Sequence, residues 1–372
     1  MTRDPNMQLG ILPEQGGSIA AMRRTGQDTR FVEQYLRCYA RQFDEVHYFS
    51  YARETMERRV ADNFHFHANP GLHRWLYSFL MPIVHARAFR RCSVLRILAA
   101  TGAIPARIAR LLFGVPFVLT YGYHYAEEAR RKGYRLRAWL FERRVRWALR
   151  RANGIIVTTP ALADHVRSIA PTGRIALIPN SVNTDLFAPA PEGPRPRHRL
   201  VAVGNLTPVK NHRLLLEAVA LLRRPEIEVV IFGVGPEEAA LRCLAAEKGI
   251  ALDLPGTVPN ETLPERLRSA DIYLIPSLSE GHPKSLLEAM SVGMPCIGTD
   301  VKGIRDVLVH EQTGWLCPLD PAALAAQIQA VLSNRKKSRA VGANARRFIL
   351  ENYDARVIME REVKFLKAVA RK

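Results

Sequence analysis

The sequence predicts an α/β protein built from two doubly wound parallel-sheet domains that face one another across a cleft. Three observations support that expectation. The chain has 372 residues, which at about 150 residues per domain means two domains. Its second half alternates short apolar runs with helical patterns, the signature of βαβ units whose sheet is covered on both faces. Between the halves lies Ala188-Pro-Ala-Pro-Glu-Gly-Pro-Arg-Pro-Arg197, with four prolines in ten residues. That composition suits an exposed linker and excludes an internal helix or strand.

Strands are expected, in order, at Gln8–Pro13, Val46–Phe49, Pro116–Thr120 and Gly154–Val157, then at Leu200–Gly204, Glu228–Phe232, Asp271–Pro276 and Pro295–Gly298. Each is a mainly apolar run of four to six residues, short for a helix and right for a buried strand. Helices are expected between the later strands, around His212–Leu222, Pro236–Lys248, Glu261–Ser269 and Lys284–Val292. The resulting division is an N-terminal domain over 1–187, a linker over 188–199 and a C-terminal domain over 200–350. A closing helix over 351–372 is expected to pack back toward the N-terminal domain. Ligands of such sheets bind outside the carboxyl ends of the strands, so the chemistry is sought there.

Composition narrows the class. Hydrophobic residues make up 48% and charged residues 24%, which excludes a disordered or fibrous chain. Five scattered cysteines with no Cys-x-x-Cys spacing argue against a disulfide framework or zinc site and for a reducing compartment. No apolar run approaches a membrane span, and the first residues lack the apolar stretch of a signal peptide. The expected location is cytoplasmic. Charge is lopsided: residues 1–200 carry 31 basic and 15 acidic side chains, against 23 and 20 in the remainder. A one-sided field attracts something anionic, whether nucleic acid, an acidic membrane leaflet or a phosphorylated substrate. Arg outnumbers Lys 44 to 10, but a codon bias toward Arg would have charged both halves alike.

The most informative stretch runs from Asp271 to Met290. A buried strand ends near Pro276, a polar loop follows, and Pro283 is placed to open a helix that Gly293 can close. A helix starting just past a strand's carboxyl end offers backbone N–H groups and a positive dipole end to a phosphate. Lys284 falls in that first turn, where a bound anion would turn a dipole penalty into an attraction. Glu280 in the loop and Glu288 in the second helical turn stand eight positions apart. Carboxylates are the strongest acceptors for sugar hydroxyls.

This arrangement resembles the E-x7-E signature of the retaining glycosyltransferases with the GT-B fold, in particular glycosyltransferase family 4. Ile178-Pro-Asn-Ser-Val-Asn-Thr-Asp-Leu-Phe187 is similar to the family's PNGVD stretch. Val203-Gly-Asn-Leu-Thr-Pro-Val-Lys-Asn-His212 is similar to its VGRL loop, and Ile231-Phe-Gly-Val-Gly-Pro236 to its VG-x-GP turn. Leu254-Pro-Gly-Thr-Val-Pro259 and Gly303-Ile-Arg-Asp306 match further positions. The resemblance covers roughly 150–350 and implies two Rossmann-like domains with a nucleotide-sugar donor in the second. It implies that Glu280 contacts hydroxyls of the transferred sugar and Glu288 the ribose. Backbone amides from Gly281 through Lys284, Ser285 and Leu286 would cradle the diphosphate. Lys210 would meet the charge that builds on the leaving group. Asn205 stands where the family usually carries Arg, and Asp306 where Glu is commoner.

The first half matches less fully. Gly16 and Gly17 follow the first strand, where the family has a glycine loop near donor and acceptor. His124 follows another strand end, near the family's histidine beside the reacting sugar. Two further patterns are set aside. Gly233-Val-Gly235 looks like a dinucleotide fingerprint, but Glu238 replaces the third glycine and Glu237 adds a second repelling carboxylate. No Asp-x-Asp occurs, so no metal or other cofactor is expected.

The implied function is a metal-independent retaining hexosyltransferase acting on a saccharide or lipid-linked acceptor in cell-surface polysaccharide or glycolipid synthesis. Its expected partners are the donor, the acceptor and an anionic membrane surface on the inner leaflet, with no nucleic acid. The stretch from Arg130 to Arg151 holds ten basic residues and an apolar stripe of Leu136, Trp139, Leu140 and Trp147, which either packs in the core or faces lipid. Alternatives are a nucleotide-sugar epimerase or sugar phosphorylase of the same fold, and a nucleic-acid-binding protein using the basic half. The last lacks a recognised binding module.

Overall fold

The structure, a computed structural model, describes residues 7–122, 133–190 and 198–371. It divides into two compact units. Unit 1 comprises residues 1–179 and 358–372, and unit 2 residues 180–357.

Unit 1 holds seven parallel strands: β1 (Gln8–Leu12), β2 (Glu45–Phe49), β3 (Phe64–His67), β4 (Val94–Ile97), β5 (Phe117–Tyr121), β6 (Gly154–Val157) and β7 (Ile175–Leu177). Their order in the sheet is β3-β2-β1-β4-β5-β6-β7, so the winding reverses between β1 and β4. Alternation along each strand feeds two cores, as strand geometry requires. Leu9, Ile11, Val118 and Ile156 face one side, while Leu12, Leu95, Ile97 and Leu119 face the other. The last helix, Ala355–Val369, lays Ile358, Met359, Val363, Leu366 and Val369 on the first of these faces.

Unit 2 holds β8 (His198–Val203), β9 (Ile227–Phe232), β10 (Ala251–Gly256), β11 (Ile272–Ile275), β12 (Cys296–Thr299) and β13 (Trp315–Cys317). The order is β10-β9-β8-β11-β12-β13, again parallel, with the reversal between β8 and β11. The helix expected over His212–Leu222 has those bounds, and the one after β11 covers Lys284–Ser291.

The chain first enters unit 2 at Asn180, ahead of the proline-rich stretch. Residues just past Asn180 are tied to the end of unit 2. Val182 bridges to Asp354, and the Arg346 guanidinium donates to the carbonyls of Thr184, Phe187 and Ser291 at 2.9 Å each. No helix among the described residues is long and apolar enough to cross a membrane.

β2 and β3 form the outer edge of the first sheet and carry an imidazole cluster. His47 Nδ1 and His67 Nε2 lie 3.0 Å apart, His47 Nε2 faces Gln8 Oε1 at 3.3 Å, and the Tyr77 hydroxyl meets His85 Nε2 at 2.9 Å. His65 is paired with Glu45. Burial first, then the neighbouring imidazoles and Arg91, lower His47 from 6.5 to about 3. Burial with His85 and His65 lowers His67 to about 4. Both rings are therefore neutral when folded, whereas the unfolded chain takes up protons near pH 6.5. Stability is lost as pH falls from about 6.5 toward 4. Thermal unfolding followed from pH 7 to pH 5 should show a falling Tm, with a shallower slope in His67→Gln. An unchanged slope would mean that these rings are already accessible to protons.

Candidate active site

A doubly wound sheet opens a crevice where its strand order reverses. In unit 2 that point lies between the loops after β8 and β11, and there the two loops are joined. Lys210, which ends the short 3-10 turn Pro208–Lys210 after β8, places Nζ 2.6 Å from Glu280 Oε1 in the loop after β11. The Ser277 hydroxyl donates to the same oxygen at 2.6 Å, and the Leu278 N–H donates to the Val209 carbonyl at 2.8 Å. The pair is largely shielded, with side-chain exposures of 24% for Lys210 and 10% for Glu280. Low local dielectric strengthens such a pair.

The helix Lys284–Ser291 starts three residues beyond Gly281. Its N-cap is Pro283, which makes no side-chain capping bond. The first-turn amides of Lys284, Ser285 and Leu286 have no acceptor within the helix and carry the positive dipole end. The side chains of Leu286 and Ser285 serve the scaffold. Leu286 is fully buried; the Ser285 hydroxyl accepts from Tyr273 at 2.8 Å and donates to the Val203 carbonyl at 3.3 Å. Their contribution to a ligand is therefore through the backbone. Glu288, one turn on, is buried with only 4% exposure, and its Oε1 accepts from Asn260 Nδ2 at 3.0 Å.

Close packing fixes the loop. A Cβ on Gly303 would lie 2.3 Å from the Glu280 carbonyl oxygen and 2.5 Å from that of Gly281, so any larger residue there displaces both. Asn180 Nδ2 donates to the His282 carbonyl at 2.6 Å. The His282 ring is buried, 5.2 Å from Tyr353, with Nδ1 unpartnered. Burial and Lys284 lower it to about 4, so it is a neutral wedge under the loop. Gly233 is explained by the same crowding: at φ +154 its Cβ would sit 2.0 Å from the Gly204 carbonyl. That glycine packs strand ends together and needs no dinucleotide to account for it.

Lys210, Glu280, Gly281, Lys284, Ser285, Leu286 and Glu288 thus gather at one strand-reversal point, with exposed Asn205 in the first loop. Sequence reasoning missed Ser277, Asn260 and Asn180, which orient the carboxylates and the loop. Each lies inside or beside a quoted motif; the partners of Asn260 and Asn180 are distant along the chain, while Ser277 meets Glu280 only three residues on. Gly16 and Gly17 belong to unit 1, at the equivalent reversal point after β1. There the Gly17 N–H donates to Glu14 O at 2.8 Å and its carbonyl accepts from Tyr51 at 3.1 Å. The following helix N-terminus is already satisfied. Ser18 caps Ala21, and the Glu54 carboxylate accepts from Ile19 and Ala20 at 3.0 and 2.8 Å. His124 lies outside the described residues. Among the described residues no group of three or more His, Cys, Asp or Glu is placed to hold a metal ion.

Both halves of the chain are similar to known proteins. Residues 189–348 match the family described as glycosyl transferases group 1, and residues 27–181 match the glycosyl transferase 4-like domain. The amylovoran biosynthesis glycosyltransferase AmsK of Erwinia amylovora is 36% identical over 139 residues, 34% of each chain. The GDP-mannose-dependent alpha-(1-6)-phosphatidylinositol monomannoside mannosyltransferase of Mycolicibacterium smegmatis is 27% identical over 237 residues, 57% of this chain and 62% of its own. The chain thus spans between a third and under two thirds of these relatives. The crystal structure of Anabaena HepE with UDP-glucose superposes with a TM-score of 0.78 at 16% identity, over 97% of this chain and 100% of that one; this likeness concerns the fold. With both halves matched in order and the two reversed parallel sheets in place, the chain belongs to the group 1, glycosyltransferase 4-like family and has its GT-B fold of two Rossmann-like domains.

Proposed function

We propose that the protein transfers a hexose, with retention and without a metal, from a nucleotide-sugar donor to a saccharide or lipid-linked acceptor in polysaccharide or glycolipid synthesis. The observation that carries this reading is the Lys210–Glu280 pair beside the Lys284–Ser291 helix start, with buried Glu288 one turn behind. The amylovoran and phosphatidylinositol mannoside relatives support the pathway class, and HepE with UDP-glucose supports the donor class.

Each group then has one task. The first-turn amides and Lys210 hold the diphosphate, and Glu288, steadied by Asn260, accepts from the ribose hydroxyls. Glu280 accepts from hydroxyls of the sugar being moved. As the bond from anomeric carbon to phosphate breaks, negative charge grows on the phosphate oxygen, to be met by Lys210 and the helix dipole. The acceptor oxygen bonds to that carbon and its proton passes to the departing phosphate, so no protein nucleophile is needed. By the family resemblance, His124 is assigned beside the reacting sugar and Gly16 and Gly17 to the backbone approach to donor and acceptor. With the diphosphate charge met by Lys210 and amides, EDTA is expected to leave turnover unchanged.

Glu280→Gln and Glu288→Gln test the assignment, since each removes a carboxylate while preserving shape. Glu280→Gln is expected to lower kcat more than donor affinity. Glu288→Gln should mainly weaken nucleotide binding by calorimetry. Wild-type kinetics in both variants would sink the site assignment, and sugar isomerised or released from donor alone would favour an epimerase or phosphorylase.

A further inference from the structure

We propose that unit 1 carries a lipid-docking face, formed by the helix Arg74–Val84 with the outer stripe of the helix Arg135–Leu149, and that its occupant is an anionic bilayer surface. The proposal deepens the proposed function by naming a surface for the acceptor's carrier. Its test is read without donor or acceptor, so the two can fail separately.

The first helix reads RWLYSFLMPIV and contains one charged residue, Arg74. Its inner side is spent on the core, where Tyr77 and Met81 are fully buried. Its outer side is apolar too: Trp75, Leu76, Phe79 and Ile83 are 45%, 51%, 52% and 57% exposed. Spacings of three, four and seven put them on one stripe. A helix apolar on every side belongs in a core or in lipid, and only half of this one has a core. Large contiguous apolar patches on a soluble domain mark an interaction surface.

The second helix settles a question that its sequence left open. Ala138, Val145, Ala148 and Leu149 are buried, whereas Leu136, Trp139 and Leu140 are 70%, 51% and 49% exposed. The outer part of the stripe faces out. Cations are interleaved with these rings. The Arg144 guanidinium lies 5.5 Å over the Trp75 ring, which brings the two helices together, and that of Arg143 lies 4.8 Å over Trp139. Indole and arginine side by side suit the boundary between headgroup and acyl chain, where each side chain finds both a wet and an apolar neighbour.

Charge decides the occupant. Residues 51–150 contain 19 basic and 6 acidic side chains, so a second copy docking face to face would set arginine against arginine. An anionic leaflet offers phosphate to the cations and hydrocarbon to Trp75, Phe79 and Ile83 together. The face also adjoins the glycine loop of the same unit. Arg144 donates to Gln15 Oε1 at 3.0 Å, and Gln15 Nε2 donates to Ser78 Oγ at 3.1 Å. Gln15 directly precedes Gly16 and Gly17, so a lipid-borne acceptor lying on this face would arrive at the glycine loop.

Sedimentation with phosphatidylglycerol–phosphatidylcholine vesicles, against pure phosphatidylcholine, tests the proposal using the full chain. Wild-type protein should bind the anionic vesicles at low salt and the neutral ones far less. Trp75→Ser combined with Phe79→Ser should lower partitioning at least about tenfold, two large side chains being lost from the contact. Arg143→Gln with Arg144→Gln should lower it and flatten its salt dependence. All these side chains are exposed or half-buried, so circular dichroism and Tm should stay near wild type. Tryptophan emission, with Trp75 and Trp139 both on this face, should shift to the blue on anionic vesicles. Absent binding at low salt overturns the proposal, as does a Trp75/Phe79 variant that binds like wild type. Dimerisation through this face without vesicle binding, read by light scattering, also overturns it.

Discussion

Lys210→Ala is expected to lower kcat/KM by at least about thirtyfold, roughly 2 kcal/mol of transition-state stabilisation, the scale of losing one preorganised charge donor. Two losses combine. The cation assigned to the leaving group disappears, and Glu280 keeps its charge in a shielded loop without the ammonium now 2.6 Å away. Asn205 sharpens the expectation. A cation in the loop after β8 would share the phosphate charge, and an exposed neutral amide occupies that position instead. Lys210→Arg should recover part of the rate, because it restores charge but not the compact geometry of an ammonium. Tm should fall as well, because Glu280 in its shielded loop loses its counter-charge, so circular dichroism at the assay temperature must first show the variant folded. A loss below threefold, measured with the transferred sugar as product, would show that another group meets the phosphate charge.

The second half of the chain was legible because its signals are local. Strands β8, β9, β11 and β12 are apolar runs whose bounds fall within two residues of expectation, and the loop after β11 sits where its prolines and glycines place it. Five strands were not foreseen. β3 reads FHFH, in which imidazoles replace the usual polar alternation, and β7 and β13 have three residues each. β10 contains Pro255, which an edge strand tolerates and a central one does not. β4 reads VLRI, and Arg96 within it obscures a strand that is buried throughout. At the site, the strand-loop-helix pattern pointed to Glu280 and Glu288, and the family resemblance to Lys210, which the structure brings beside Glu280. They were silent on Asn260 and Asn180, because a hydrogen bond such as Asn180 to His282 spans 102 residues and leaves no local pattern; Ser277, three residues from Glu280, is a loop serine that carries no signal of its own. The Gly233 turn and the 136–140 stripe were ambiguous for the same reason, being decided by what packs against them.

Arg96 is also the centre of the largest expected stability effect. Its side chain and that of Glu362 are 6% and 5% exposed, with Nε 2.5 Å from Oε1. The Tyr39 hydroxyl donates to the same oxygen at 2.6 Å, and Arg96 donates to the Ile97 carbonyl at 2.7 Å. The pair stands on the sheet face otherwise filled by Leu9, Ile11 and Val118, and it joins β4 to the last helix across 266 residues. Glu362→Ala would leave an arginine, which stays protonated, buried without a counter-charge. The expected cost is about 3–5 kcal/mol. Glu362→Gln keeps an acceptor for both donors and should cost less. Arg96→Met with Glu362→Leu removes both charges and should be more stable than Glu362→Ala alone, which distinguishes the penalty of an orphaned charge from lost packing. Urea unfolding followed by tryptophan fluorescence suits the measurement, because Trp75, Trp139 and Trp147 all lie in unit 1. A double variant as unstable as Glu362→Ala would mean that the ion pair itself, and not its imbalance when broken, holds the last helix to the first sheet.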